Sequence, residues 1–153
     1  MPNPTVVFVC TGNTCRSPMA AALAASIFQQ NGIAVEILSA GVAADPGSPA
    51  SKNAVKAMGD EGLDLHPHRS AQISREILQD ANLVITMTAG HLYSVNDICP
   101  QAKAFTLGDY AGESCDVSDP YGGNLEIYRQ CAAQIKQLIT QSIAKFKEDL
   151  WKA

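Results

Sequence analysis

Charge is scarce in this 153-residue chain: Asp, Glu, Lys and Arg make up 17%, and 11 Lys and Arg are outnumbered by 15 acids. A net charge of −4 with so few, scattered cations argues against nucleic acid or an anionic membrane as the main partner. Long apolar runs are missing too. Stretches such as Val6 to Cys10 fall far short of the roughly 20 residues that a membrane span requires. The N-terminal Met1-Pro2-Asn3-Pro4 lacks the basic region of a secretory signal. There are no internal repeats, low-complexity segments or linkers. The five cysteines are odd in number and do not form the regular framework of a small secreted protein. Absent motifs narrow the chemistry further. No G-x-x-x-x-G-K nucleotide loop, G-x-G-x-x-G or H-E-x-x-H occurs, and Cys10 and Cys15 have no second pair at zinc-site spacing. The expectation is a single domain over residues 1–153, cytoplasmic and monomeric, with no metal and no cofactor.

What is present is an ordered hydrophobic pattern. Hydrophobic residues are 46% of the chain, which excludes intrinsic disorder. Thr5-Val6-Val7-Phe8-Val9 is β-branched and aromatic without alternation, as in a central parallel strand buried on both faces. Ser17-Pro18 reads as an N-cap followed by proline, and Met19, Leu23 and Ile27 recur on one face until Asn31-Gly32. A second strand is expected over Ala34–Ser39, a helix over Ala50–Met58, a third strand over Leu83–Met87 and a weaker fourth over Ala104–Leu107. A polar helix fits His91–Asp97. After a long loop, Gly108–Asn124, one C-terminal helix carries Tyr128, Cys131, Ile135, Leu138 and Phe146 on a core-facing stripe. Strands alternating with helices predict a doubly wound α/β fold with a parallel sheet. Ligands in such folds bind beyond the carboxyl ends of the strands.

The segment Cys10-Thr11-Gly12-Asn13-Thr14-Cys15-Arg16-Ser17-Pro18 lies there. A cysteine at a strand end is ordinarily a small core hydrophobe. Here it is followed by a glycine-containing loop that returns to a helix start, with an arginine six residues on and then a hydroxyl. Successive loop amides form a nest for an anion, and the helix dipole adds positive potential. Arg16 can grip two phosphoryl oxygens through its planar fork. In that field Cys10 is expected to react as a thiolate. Ser17 can cap the helix and also donate toward the sulfur.

Together with Ser39-Ala40-Gly41 and Asp119-Pro120-Tyr121-Gly122-Gly123, this loop resembles the low-molecular-weight protein tyrosine phosphatase family. The resemblance implies a four-stranded parallel sheet with helices on both faces, and metal-free phosphoryl transfer through a cysteinyl phosphate. By resemblance, Cys10 is the nucleophile, Arg16 the transition-state clamp, Ser17 the partner of the thiolate and Asp119 the general acid. Asp109 and Asp116 are equally placed by sequence alone; only the resemblance selects Asp119. It also implies that Thr11, Gly12, Asn13, Thr14, Cys15 and Tyr121 line the substrate site, that Ser39 and His68 support Asn13, and that Cys15 can form a reversible, protective disulfide with Cys10. Cys99, Cys115 and Cys131 read as packing residues. Phosphorylated proteins would be the substrates and inorganic phosphate the product.

Within the family the chain is most like the bacterial protein-arginine phosphatases. Thr14 stands where tyrosine-specific members typically carry an aliphatic residue. A single aromatic, Tyr121, follows Asp119-Pro120, and Val42–Ser48 supplies no second aromatic to sandwich a phenol ring. A small polar residue and a carboxylate suit a guanidinium, whose N–H groups an aliphatic wall would strand. Phosphoarginine is therefore the expected substrate and phosphotyrosine the alternative. A thiol-dependent arsenate reductase shares the Cys-x5-Arg loop, but it needs two further cysteines close together. Cys99 and Cys115 are far apart in this chain.

Overall fold

The computed structural model describes residues 2–151. Four parallel strands, β1 (Thr5–Cys10), β2 (Glu36–Gly41), β3 (Leu83–Thr86) and β4 (Ala104–Thr106), form one sheet in the order β2-β1-β3-β4. The chain leaves β1 toward β2 on one side and later pairs β3 on the other. The crevice of this switch point opens at the carboxyl end of β1, where the Cys10 loop begins.

The uninterrupted apolar character of β1 is explained by two cores. Val6, Phe8 and Cys10 pack with α1 (Arg16–Gln30), α2 (Lys52–Asp60), α5 (Leu107–Tyr110), α6 (Leu125–Gln141) and α7 (Ile143–Trp151). Val7 and Val9 face the opposite core with Leu78 of α3 (Arg75–Asp80) and Val95 of α4 (Ala89–Ile98). Both faces of the sheet are therefore covered, as the sequence pattern predicts. No helix among the described residues is long and apolar enough to cross a membrane.

Several boundaries differ from the sequence reading. The second strand runs Glu36–Gly41 rather than Ala34–Ser39, because its pairing with β1 extends to Cys10 opposite Gly41. Six-residue α3 and four-residue α5 are too short to show a helical period, although Ser74 and Thr106 cap them by accepting from Ile77 and Asp109 amides. The expected single C-terminal helix is two. Ser142 interrupts it, its hydroxyl donating to the Leu138 carbonyl at 2.7 Å and its amide to Ile139 at 3.0 Å.

Phe146 of α7 is fully buried, with its ring centroid 4.9 Å from Phe28 on α1 and 4.7 Å from Tyr110 on α5. It locks the chain's last helix to its first. Phe146→Ala is expected to destabilise the fold by about 3–5 kcal/mol. Chemical denaturation should show that loss, while turnover per folded molecule, far from this cluster, should be unchanged.

Candidate active site

Residues 11–15 turn from β1 into α1, and Asn13 is the pivot. Its φ of 58° is left-handed and its side chain fully buried. Asparagine tolerates that conformation because its side chain can hydrogen-bond locally. Asn13 Oδ1 accepts from the Ala71 amide at 2.9 Å, so Nδ2 faces the other way. There it donates to Ser17 Oγ at 2.8 Å and to Ser39 Oγ at 3.0 Å. The Asn13 carbonyl accepts from His68 Nε2 at 2.7 Å. Ser39 and His68 thus both meet Asn13. Burial lowers the His68 pKa, with the Arg69 charge adding to this and the bond to Asn13 opposing it.

Proton accounting then orients Ser17. Its oxygen accepts from Asn13, so its own hydrogen is free to donate, with Cys10 Sγ the nearest partner at 2.8 Å and the Ala40 carbonyl farther away at 3.4 Å. This corrects one expectation, since Ser17 does not cap α1. Cys15 holds the N-cap position and makes no side-chain capping bond, while the Ser17 hydroxyl is turned inward to Asn13. Pro18 sits in the first turn, where an amide has no intrahelical partner to lose.

The loop carbonyls are taken from outside. Cys10, Thr11 and Thr14 oxygens accept from the Val42, Ala43 and Ser51 amides, each at 2.9 Å. The amides of Gly12 to Ser17 donate to no acceptor among the described residues, which leaves a row of donors for an anion. Gly41 permits this closeness. A Cβ there would collide with the Thr11 carbonyl and lie 3.0 Å from the Asn13 nitrogen.

Arg16 is 4% exposed, with Nη1 donating to the Val117 carbonyl at 3.0 Å and Nη2 to Thr11 Oγ1 at 3.3 Å. Val117 is itself tied to the end of β3 by its amide, 2.9 Å from the Met87 carbonyl. Two residues further, Asp119 places Oδ2 3.5 Å from Arg16 Nη2, while its Oδ1 accepts from the Tyr121 amide at 3.1 Å. The structure thereby separates the three acids that sequence left open. Asp116 accepts from the Ala89 amide at the start of α4, and Asp109 lies in α5.

Cys10, Thr11, Gly12, Thr14, Cys15, Arg16, Asp119 and Tyr121 line a cleft of about 250 Å³. Every residue expected to bind substrate borders it except Asn13, which is buried beneath. Thr14 Oγ1 lies 3.7 Å from Cys15 Sγ, and Tyr121 is 80% exposed at the rim. All five cysteines are free. Cys15 Sγ lies 3.4 Å from Ser51 Oγ and 3.3 Å from Tyr128 Oη, and burial together with that thiol contact pushes the Tyr128 pKa up to about 12. Burial likewise pushes Cys131 up to about 12. Among the described residues, no group of three or more His, Cys, Asp or Glu is placed to hold a metal ion. Sequence reasoning missed Val117, which acts through a backbone carbonyl, and His91, whose only signal is its spacing from Thr88. Tyr128 was placed on the core stripe without its contact to the loop.

Asn13→Ala should be costly. It orphans the buried Ala71 amide, roughly 1–3 kcal/mol, and puts an ordinary residue in the left-handed region, roughly 1–2 kcal/mol. Thermal denaturation is expected to show a Tm lower by about 5–12 °C, and binding of an oxyanion such as vanadate should weaken with it.

Comparison with known proteins accords with this geometry. The low molecular weight phosphotyrosine protein phosphatase family profile matches residues 5–152. A protein-arginine-phosphatase of Bacillus subtilis is 40% identical over 147 residues, covering 94% of this chain and 97% of its own. A low molecular weight protein-tyrosine-phosphatase, PtpB of Staphylococcus epidermidis, is 33% identical over 145 residues, covering 94% and 99%. A solved structure of the YwlE arginine phosphatase, a mutant with a phosphorylated active-site serine, superposes with a TM-score of 0.90 at 38% identity, covering 95% of this chain and 97% of that one. The chain belongs to the low-molecular-weight phosphotyrosine protein phosphatase family.

Proposed function

We propose that this protein is a cysteine-dependent protein phosphatase whose substrates are phosphoarginine side chains. The observation that carries the substrate class is Thr14, a small hydroxyl residue on the wall of the cleft that holds Cys10, Arg16 and Asp119. Its oxygen has only a long contact to Cys15 Sγ, so it can accept from a guanidinium N–H. A branched aliphatic side chain there would leave that N–H unpaired. The kinship with protein-arginine-phosphatases at 40% identity supports the same choice.

In this reading the Cys10 thiolate, stabilised by the Ser17 hydroxyl, attacks phosphorus in line. The loop amides and the Arg16 fork hold the three equatorial oxygens and bind them more strongly as charge develops. The P–N bond breaks, and Asp119 gives its proton to the departing nitrogen of arginine. Asp119, now ionised, takes a proton from water as that water attacks the phosphocysteine. Inorganic phosphate leaves and the thiolate is restored. Thr11, Gly12, Asn13, Thr14 and Cys15 shape the anion site, Tyr121 forms its rim, and Cys15 is the redox partner of Cys10. The protein acts as a cytoplasmic monomer on phosphorylated proteins.

Parallel turnover of phosphoarginine and phosphotyrosine peptides tests the assignment. The native protein should prefer phosphoarginine, and Thr14→Ile should lower the ratio of the two kcat/KM values about a hundredfold, roughly 2.7 kcal/mol in differential transition-state binding. A native preference for phosphotyrosine, or a ratio indifferent to the substitution, would overturn the substrate class. Asp119→Asn should behave differently with leaving group. Arginine, a strongly basic leaving group, needs the proton, whereas the weakly basic group of an activated aryl phosphate departs without it. Turnover should therefore collapse on the first and persist on the second. Equal losses on both would show that Asp119 positions substrate instead.

A further inference from the structure

His91 has no part in the scheme above, yet it is 5% exposed and lies against the anion loop. It occupies the first turn of α4, three residues after the N-cap Thr88. Two bonds decide its tautomer. The Thr88 amide donates to Nδ1 at 3.2 Å, and a peptide N–H can do nothing else. The ring hydrogen is therefore on Nε2, which lies 2.8 Å from Thr11 Oγ1, and the threonine oxygen is the acceptor. Burial first, and then the Arg16 charge, push the His91 pKa down to about 4, with Asp116 and Asp119 opposing. The neutral ring that the two bonds require is thus the form present near neutral pH.

A second donor reaches the same oxygen. Arg16 Nη2 lies 3.3 Å from Thr11 Oγ1 and 3.5 Å from Asp119 Oδ2. With both lone pairs of Thr11 Oγ1 facing N–H donors, its own hydrogen has no acceptor among the described residues. Thr11 is exposed and borders the cleft beside Cys10 and Arg16. Its hydroxyl is left to donate to whatever acceptor enters that cleft, and an oxyanion is the acceptor the surrounding donors select.

We propose that His91 is a positioning residue for the reaction. Acting through Thr11, it makes the Thr11 hydroxyl a donor to a phosphoryl oxygen and holds the oxygen on which Arg16 Nη2 rests. Without the Nε2–H, the hydroxyl can rotate its hydrogen away from the cleft. The guanidinium also loses a fixed acceptor on the loop side, while the Asp119 carboxylate still pulls from the other. This proposal rests on the reading of the cleft as a phosphatase site.

Two amide substitutions separate the helix cap from the relay. Asparagine at position 91 offers an acceptor at the distance of Nδ1, preserving the bond from Thr88, but is too short for Thr11. Glutamine extends an N–H to the distance of Nε2. His91→Asn is expected to keep Tm within a few degrees yet lower kcat/KM for an aryl phosphate about tenfold and weaken inorganic phosphate and vanadate binding by a similar factor. His91→Gln should recover most of both. Added to Thr11→Val, His91→Asn should cost almost nothing more, because the same contact is already gone. Native kcat/KM and oxyanion affinity in His91→Asn would overturn the proposal. So would a lower Tm and a larger loss in His91→Gln than in His91→Asn, which would leave His91 only the cap, or additive losses in the double variant. Failure of the native protein to bind phosphate or cleave aryl phosphate would instead refute the phosphatase reading itself.

Discussion

A single side-chain amide, that of Asn13, has its two donors and its acceptor committed to three different parts of the fold. Ala71 lies ahead of α3, Ser39 is on β2, and Ser17 is in the first turn of α1. The amide cannot turn over without facing its donors toward a peptide N–H, so one orientation serves all three. Its consequences reach outward. The left-handed turn at Asn13 sets the curvature of the loop, and its Nδ2 decides which way the Ser17 hydrogen points. Cys10 Sγ is the nearest partner for that hydrogen. A buried network of this kind tolerates no missing member, since each orphaned group would carry its full desolvation cost.

Arg16 is the complementary case, a buried cation in a chain that is acidic overall. Burying a guanidinium is unfavourable unless its N–H groups are satisfied. The Val117 carbonyl and the Thr11 hydroxyl supply partners from opposite sides, and Asp119 lies beyond hydrogen-bond range but within reach of its charge. The positive potential of the cleft is accordingly local, built from one fixed cation and the loop amides rather than from any basic surface. An acid on the rim of an anion-binding cleft is awkward for a purely anionic ligand. It is well placed when the group leaving phosphorus is basic.

Topology links these parts. The anion loop leaves β1, and β3 lies beside it, so the segment bonded to the end of β3 at Val117 passes directly over Arg16. Asp119 follows two residues later. From the other neighbour, β2, come the Val42 and Ala43 amides that turn the loop carbonyls outward. The central strand thus has Cys10 at its tip, and each flanking strand contributes one wall of the cleft.

Much of this was legible in the sequence. The unalternating apolar run before Cys10, the Cys-x5-Arg-Ser spacing and the strand–helix alternation are local patterns. They determined a doubly wound parallel sheet with Cys10 at a strand end and its loop closing on a helix, because burial on both faces and a strand–loop–helix junction leave direct traces in neighbouring residues. The resemblance carried by Asp119-Pro120 and Ser39-Ala40-Gly41 extended that to the acid and to the support of Asn13. Only the tertiary structure decided which acid faces Arg16, that Ser17 serves the sulfur instead of capping α1, and that His91 meets Thr11 eighty residues away in the chain. Those outcomes turn on where single hydrogens and lone pairs are spent among residues distant in sequence, and no local periodicity encodes that accounting.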